Sequence, residues 1–195
     1  MREHDIGVIK MEVSRSLEPE PGFLKSVRNL ATEKNIVLIF DECTSGFRET
    51  FGGLHKKYGV EPDMAIFGKA LGNGYAISAI IGKRGIMESA QNTFISSTFW
   101  TERIGPTAAL KTLEIMKLEK SWEVITKKGK YIGKRWRDLA INHDLPIECS
   151  GLPALINFKI LDAFGFNNIS KVFNLQPINS ASSVEKINVF LFNFS

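Results

Sequence analysis

Cysteine is scarce in this chain of 195 residues: there are two, Cys43 and Cys149, far apart and outside any CxxC spacing. That argues against a disulfide framework and against a zinc site, and it favours a reducing compartment. Only three histidines are present, none clustered with a cysteine, so no metal centre is expected. No apolar run reaches membrane-spanning length. The opening MREHDIGVIKMEV is too polar and mixed for a secretory leader, so a soluble, cytoplasmic protein without membrane contact is expected. A large excess of charge of one sign is missing too. Lys and Arg number 25 against 21 Asp and Glu, a surplus too small to mark a nucleic-acid binder unless it is gathered on one face. The densest basic run, Lys127 to Arg137, has the spacing of a helix with a solvated face. Repeats and heptads are absent.

What is present is an ordinary globular composition, 44% hydrophobic and 24% charged, enough apolar material for a core. Ile6 to Val13 is a short strand-like run. Pro19, Pro21 and Gly22 then break the chain, and Pro21 suits the first turn of a helix. Phe23, Leu24, Val27, Leu30 and Ala31 recur at helical spacing up to Lys34, with Asn35 closing the helix. Ile36 to Phe40 are five apolar residues in a row, which predicts a strand of a parallel sheet buried on both faces. Further strands are expected at Met64–Phe67 and Ile77–Gly82, a short helix near His55–Tyr58, and long helices over Ile104–Leu118 and Ser121–Ile141. Cys149 to Ile160 has the character of a smaller sheet.

Ligands of parallel sheets bind outside the carboxyl ends of the strands. Asp41 closes one such strand, and Lys69 stands just past another, in Gly68-Lys69-Ala70-Leu71-Gly72-Asn73-Gly74. Small neighbours let backbone and ligand approach closely around that lysine. An amine on such a loop suits Schiff-base chemistry, because desolvation or a nearby cation can hold it neutral. The same spacing also fits a surface lysine in a turn. Gly72 and Gly74 are no dinucleotide fingerprint, since no long helix opens there after a strand. His55 reads as solvated on a polar helix, Glu12 as a structural ion-pair partner as readily as a functional group, and Arg48 as orienting the loop after Asp41.

The run IVLIFDECTSGFR, followed by FGGLHKKYGVEPDMAIFGKALGNGYAISAIIGKR, resembles the cofactor core of class III aminotransferases, with the glutamate-1-semialdehyde 2,1-aminomutase branch the nearest likeness. The likeness runs from about Ile6 to Leu118. It implies an α/β fold of the fold-type I pyridoxal-phosphate (PLP) transferases, as part of the large domain with a mostly parallel sheet and a truncated start of the small C-terminal domain. It also implies PLP as cofactor, a small-molecule amino donor and carbonyl acceptor as substrates, and a homodimer. Residue by residue, Lys69 matches the Schiff-base lysine and Asp41 the carboxylate that pairs with the pyridine nitrogen. Cys43 stands where a valine usually packs on the ring, Thr44 near the phenolic oxygen, and Thr98 where a threonine reaches the phosphate of the neighbouring subunit. Trp100-Thr101-Glu102-Arg103 departs from the family's Ser-Gly-x-Pro.

The resemblance divides the chain into a partial PLP-binding large domain (1–118), a connecting helix with the start of the small domain (119–162) and an atypical tail (163–195) rich in Phe, Asn and Ser. It places the phosphate-holding loop and the ring-stacking aromatic upstream of this chain's first residue. Two expectations follow: an enzyme moving amino groups through Lys69, or a catalytically inactive, truncated remnant of one.

Overall fold

Segments rich in branched and apolar residues favour extended backbone, and the computed structural model pairs three of them side by side. It describes residues 6–14, 17–96, 98 and 101–161. Strand β2 (Val37–Asp41) lies between β1 (Val8–Glu12) and β3 (Met64–Phe67), parallel to both, and β4 (Ala79–Gly82) adds to β3 antiparallel. The register sets Glu12 against Asp41 and Asp41 against Ile66, so the carboxyl ends of β1, β2 and β3 come out together. The expected tail, 163–195, lies outside the described residues. Among the described residues no helix is long and apolar enough to cross a membrane.

Helix α1 (Phe23–Glu33) connects β1 to β2. Gly22 precedes it with φ 82°, a turn conformation that costs glycine little. Asn35, at φ 54°, ends it, and the Ile36 N–H turns back to the Ala31 carbonyl at 2.7 Å. Leu24 and Ala31 on its inner face pack with Val13, Leu38, Phe40, Leu54 and Val60 into one buried cluster. A second cluster, around Phe47, Ala65, Phe67 and Leu71, takes Ala109 from helix α4 (Ile104–Glu119).

One expectation about the sheet is overturned. Leu38 and Phe40 are fully buried, but the alternate residues Val37, Ile39 and Asp41 are only half-buried, and Val8 and Ile80 on that same face are 53% and 50% exposed. The apolar run is continuous, yet among the described residues the helices cover one face of it.

Asp63, in the loop before β3, ties this frame together. One carboxylate oxygen accepts from Arg28 of α1 (2.7 Å) and from the Leu38 N–H of β2 (2.8 Å), and the other accepts from Lys83 beyond β4 (2.7 Å). Short helices α2 (His55–Tyr58) and α3 (Arg84–Met87) flank the strands, and α5 (Ser121–Asn142) follows α4 directly. A hairpin of β5 (Ile147–Ser150) and β6 (Asn157–Ile160) folds back on α5. Gly129 and Gly133, one turn apart on the face of α5, admit that approach, since a Cβ at Gly129 would overlap the Pro153 carbonyl. Trp136 meets Phe158 edge-on at 5.2 Å, and Leu152 joins the first cluster.

Two outcomes follow. Burial pushes the Asp63 carboxyl up, but the Leu38 N–H, Lys83 and Arg28 outweigh it and bring its pKa from 3.8 down to about 2. The folded carboxyl thus titrates below its unfolded value, so its contribution, on the order of 2 kcal/mol, is complete above pH about 4 and is lost as the pH falls towards 2. Urea unfolding at pH 5 and pH 2.5 should show that loss in the parent chain and its absence in Asp63→Asn. Gly129→Ala is expected to destabilise by about 2 kcal/mol through overlap with Pro153. Gly85→Ala, where nothing lies within 4 Å of the added carbon, should be neutral or slightly stabilising; equal melting shifts for the two would contradict the packing account.

Candidate active site

At the carboxyl end of β2 the chain must leave the sheet, and Asp41 makes that exit with its own side chain. Its Oδ1 accepts from the Cys43 N–H (3.1 Å), a local turn that short acidic residues favour, and its Oδ2 meets Lys10 Nζ at 3.0 Å across the β1–β2 pair. Burial raises the Asp41 carboxyl, and the Lys10 ammonium together with the Cys43 N–H more than offsets this, so it sits below the usual carboxylate range and stays ionised. Burial, then the Asp41 carboxylate beside it, push the Cys43 thiol up, and the Lys69 ammonium opposes that rise. Cys43 therefore lies within the electrostatic reach of both groups. Its Sγ would be 3.2 Å from a Cβ on Gly68, which leaves little room there for a larger residue.

Lys69 follows β3 directly. Its backbone is left-handed (φ 35°), a conformation unfavourable for a residue with a Cβ, held by the Asn73 N–H on the Lys69 carbonyl (3.0 Å) and the Leu71 N–H on the Gly68 carbonyl (2.8 Å). The exposed side chain reaches Thr44, Nζ donating to Oγ1 at 2.6 Å. Its partner is thus a neutral hydroxyl, and no carboxylate pairs with it among the described residues. Asp41, Cys43, Thr44 and Lys69 come together as the strand ends suggested. Thr98 does not join them in this chain: it stands exposed in the turn before α4 and is not among the residues lining the cavity next to Lys69.

His55 corrects the sequence reading. It is 5% exposed, not solvated, and belongs to a buried network that no sequence motif marks. Glu42, 1% exposed, accepts from the His55 backbone N–H (2.9 Å), from His55 Nδ1 (2.9 Å) and from the Ser45 hydroxyl. Burial pushes the Glu42 carboxyl up, but the His55 and Ser45 hydrogen bonds bring it below its ordinary value. In the sequence only the glycines at 46 and 53 pointed this way, and the reason for them is visible in the structure. A Cβ at Gly46 would crowd the Glu42 carbonyl and Phe67, and one at Gly53 would overlap the His55 ring. Arg48, in the same loop, donates from Nε to the Thr44 carbonyl at 3.3 Å, and its own carbonyl accepts from Thr126 of α5 at 3.0 Å.

Comparison with known proteins gives this arrangement its context. The family model described as aminotransferase class III matches residues 16–173. The chain is 42% identical over 144 residues to a 3-aminobutyryl-CoA aminotransferase of Cloacimonas acidaminovorans (strain Evry), an alignment covering 72% of this chain and 35% of that protein. It is 38% identical over 122 residues to a glutamate-1-semialdehyde 2,1-aminomutase of Prosthecochloris aestuarii, covering 61% of this chain and 28% of that one. Among solved structures, the FumI protein of Sphingopyxis sp. MTA144, in its PLP internal aldimine form, superposes with a TM-score of 0.76 at 23% identity, covering 80% of this chain and 39% of that one. An S-selective transaminase from Arthrobacter sp. gives 0.68 at 23% identity, covering 81% and 36%. At such identities the structural likeness speaks to the fold, which is that of the PLP-dependent transaminases. The chain spans about a third of the length of the curated relatives it matches.

His55→Ala should leave the buried Glu42 carboxylate short of a partner and lower stability by about 3 kcal/mol. The urea midpoint should fall at unchanged slope, and adding Glu42→Gln to that variant should recover part of the loss. An unshifted midpoint would show that the loop stands without this pair.

Proposed function

The chain belongs to the class-III aminotransferase family, and on that premise we propose that it carries the lysine side of a PLP-dependent site for amino-group transfer between a small amine and a carbonyl compound. The observation that supports this most is the pairing of Lys69 with a hydroxyl at the end of β3, next to an ionised Asp41 at the end of β2.

The residues present fit the cofactor chemically. Lys69 would hold its aldehyde, and Asp41, ionised as it is, would face the ring nitrogen and keep it protonated. Cys43, half-buried between them, would pack on the ring as a small hydrophobe. Thr44 would lie by the phenolic oxygen, and Thr98 would reach a phosphate group across a homodimer interface. When bound, PLP supplies an aldehyde that condenses with amines and a ring that accepts electrons from the carbon bearing the nitrogen.

The chain's own contributions are positional and acid–base. Lys69 Nζ, as a free amine beside the substrate carbon, takes a proton from that carbon and returns one, a contribution typically on the order of a hundred- to ten-thousand-fold in rate. Thr44 Oγ1 fixes where that amine waits. The Cys43 N–H and Lys10 keep the Asp41 carboxylate charged and aimed. A cytoplasmic setting, with no membrane or nucleic-acid partner, is part of this proposal.

The test is reductive trapping. The 195-residue chain is incubated with PLP and reduced with borohydride, and the added pyridoxyl mass is located by peptide mapping. Label is expected on Lys69, abolished by Lys69→Ala and weakened by Asp41→Asn. Label spread over many lysines with none favoured, or an unlabelled Lys69, would overturn the assignment.

A further inference from the structure

Asp41 offers two oxygens, and both are taken. Oδ1 accepts from the Cys43 N–H at 3.1 Å, and Oδ2 meets Lys10 Nζ at 3.0 Å. The first partner is fixed, because that hydrogen bond belongs to the turn by which the chain leaves β2. Lys10 differs. It comes from the neighbouring strand, where the register sets Lys10 against Ile39 and Glu12 against Asp41, so its ammonium reaches two residues along β2 to make the pair. Its side chain is 56% exposed, against 22% for that of Asp41. An ion pair so open to water holds weakly, and water can take the carboxylate's place around that ammonium.

The charges around Asp41 show what the pair does. Lys10 and Glu12 come from the same face of β1, Cys43 lies in the loop, and Lys69 follows β3 with its Nζ donating to Thr44 Oγ1 instead. Among the described residues Lys10 is the cation bonded to the Asp41 carboxylate. The hydrogen bond to Asp41, and then the charge of Asp41, push the Lys10 ammonium above the usual lysine range, so less of it is present as free amine. A protonated ring nitrogen asks of Asp41 what Lys10 already receives, a carboxylate oxygen. Two cations on one carboxylate repel each other, and a like charge nearby loosens the ring nitrogen's hold on its proton. Of the two, the one that can retreat into water is Lys10, on its flexible four-carbon stem.

We propose that Lys10 is a stand-in for the ring nitrogen: a positioning residue that holds the Asp41 carboxylate in place and is displaced from it when the cofactor takes the same oxygen. This rests on the assignment of PLP to Lys69 and Asp41 given above, and adds to it a residue of β1 that yields on cofactor capture.

The test reads the chemistry of the Lys10 amine, not turnover. The chain is treated with PLP and borohydride, the product carrying a single pyridoxyl group on Lys69 is isolated, and trace acetylation of each lysine is compared with the untreated chain by peptide mapping. Lys10 should acetylate about two- to fivefold faster once Lys69 is labelled, the size expected for losing an exposed ion pair. Lys34, paired with Glu33 before the opposite end of β2, should keep its rate. Asp41→Asn should give the faster Lys10 rate without any label. In Lys10→Met the PLP concentration that half-labels Lys69 should fall by a similar factor, the difference should shrink at high ionic strength, and Lys10→Arg should restore the parent value. A residue that merely aims Asp41 predicts the opposite sign, weaker labelling of Lys69 in Lys10→Met. A Lys10 rate that the Lys69 label leaves unchanged or slows overturns the displacement, and that measurement uses the unsubstituted chain, so it stands even where a variant does not fold. An unlabelled Lys69 sinks the cofactor assignment and this role with it, whereas a labelled Lys69 beside an unmoved Lys10 sinks this role alone.

Discussion

A carboxylate with almost no solvent governs the site loop. Glu42 directly follows Asp41, so the chain cannot leave β2 without placing that charge in the interior. An unsatisfied buried carboxylate would be ruinous, and the loop is shaped to satisfy it: Ser45 turns its hydroxyl inward and His55 brings both its backbone N–H and Nδ1. Meeting those demands draws residues 42–55 into a closed curve, with glycines where His55 and Phe67 come too near for a side chain. Cys43, Thr44 and Arg48 all ride on that curve. The positions of Cys43, Thr44 and Arg48 are thus set by the satisfaction of Glu42.

The loop would wander without a frame, and the frame is the parallel β1–β2–β3 set. Asp63 ties its α1, β2 and post-β4 parts from one carboxylate, and the register brings the ends of β2 and β3 side by side. Asp41 and Lys69 are distant in sequence and close in effect for that reason. The left-handed Lys69 backbone is the local strain that this over-determined surrounding sustains.

Much of this was legible beforehand. The five-residue apolar run gave β2, the 3.6-residue spacing gave α1, α4 and α5, and Met64–Phe67 emerged as β3 with the bounds expected of it. The places of Asp41 and Lys69 at the ends of β2 and β3 were readable from the apolar runs before them. His55 was not, because α2 is a single turn, too short for periodicity to reveal which face is buried. The half-exposed face of β2 escaped as well: an apolar run says which residues prefer burial, and what covers them depends on elements elsewhere.

The sequence by itself determined the elements, the family and the two residues at the strand ends, since these follow from local preference and from motifs at fixed spacing. Tertiary structure alone decided that Glu42 is buried against His55, that Lys69 rests on Thr44, and that Lys10 reaches Asp41 from the neighbouring strand. Those three facts are distances between residues brought together by loop closure and sheet register. Such pairings depend on how buried charge is compensated across the whole fold, which no local pattern encodes.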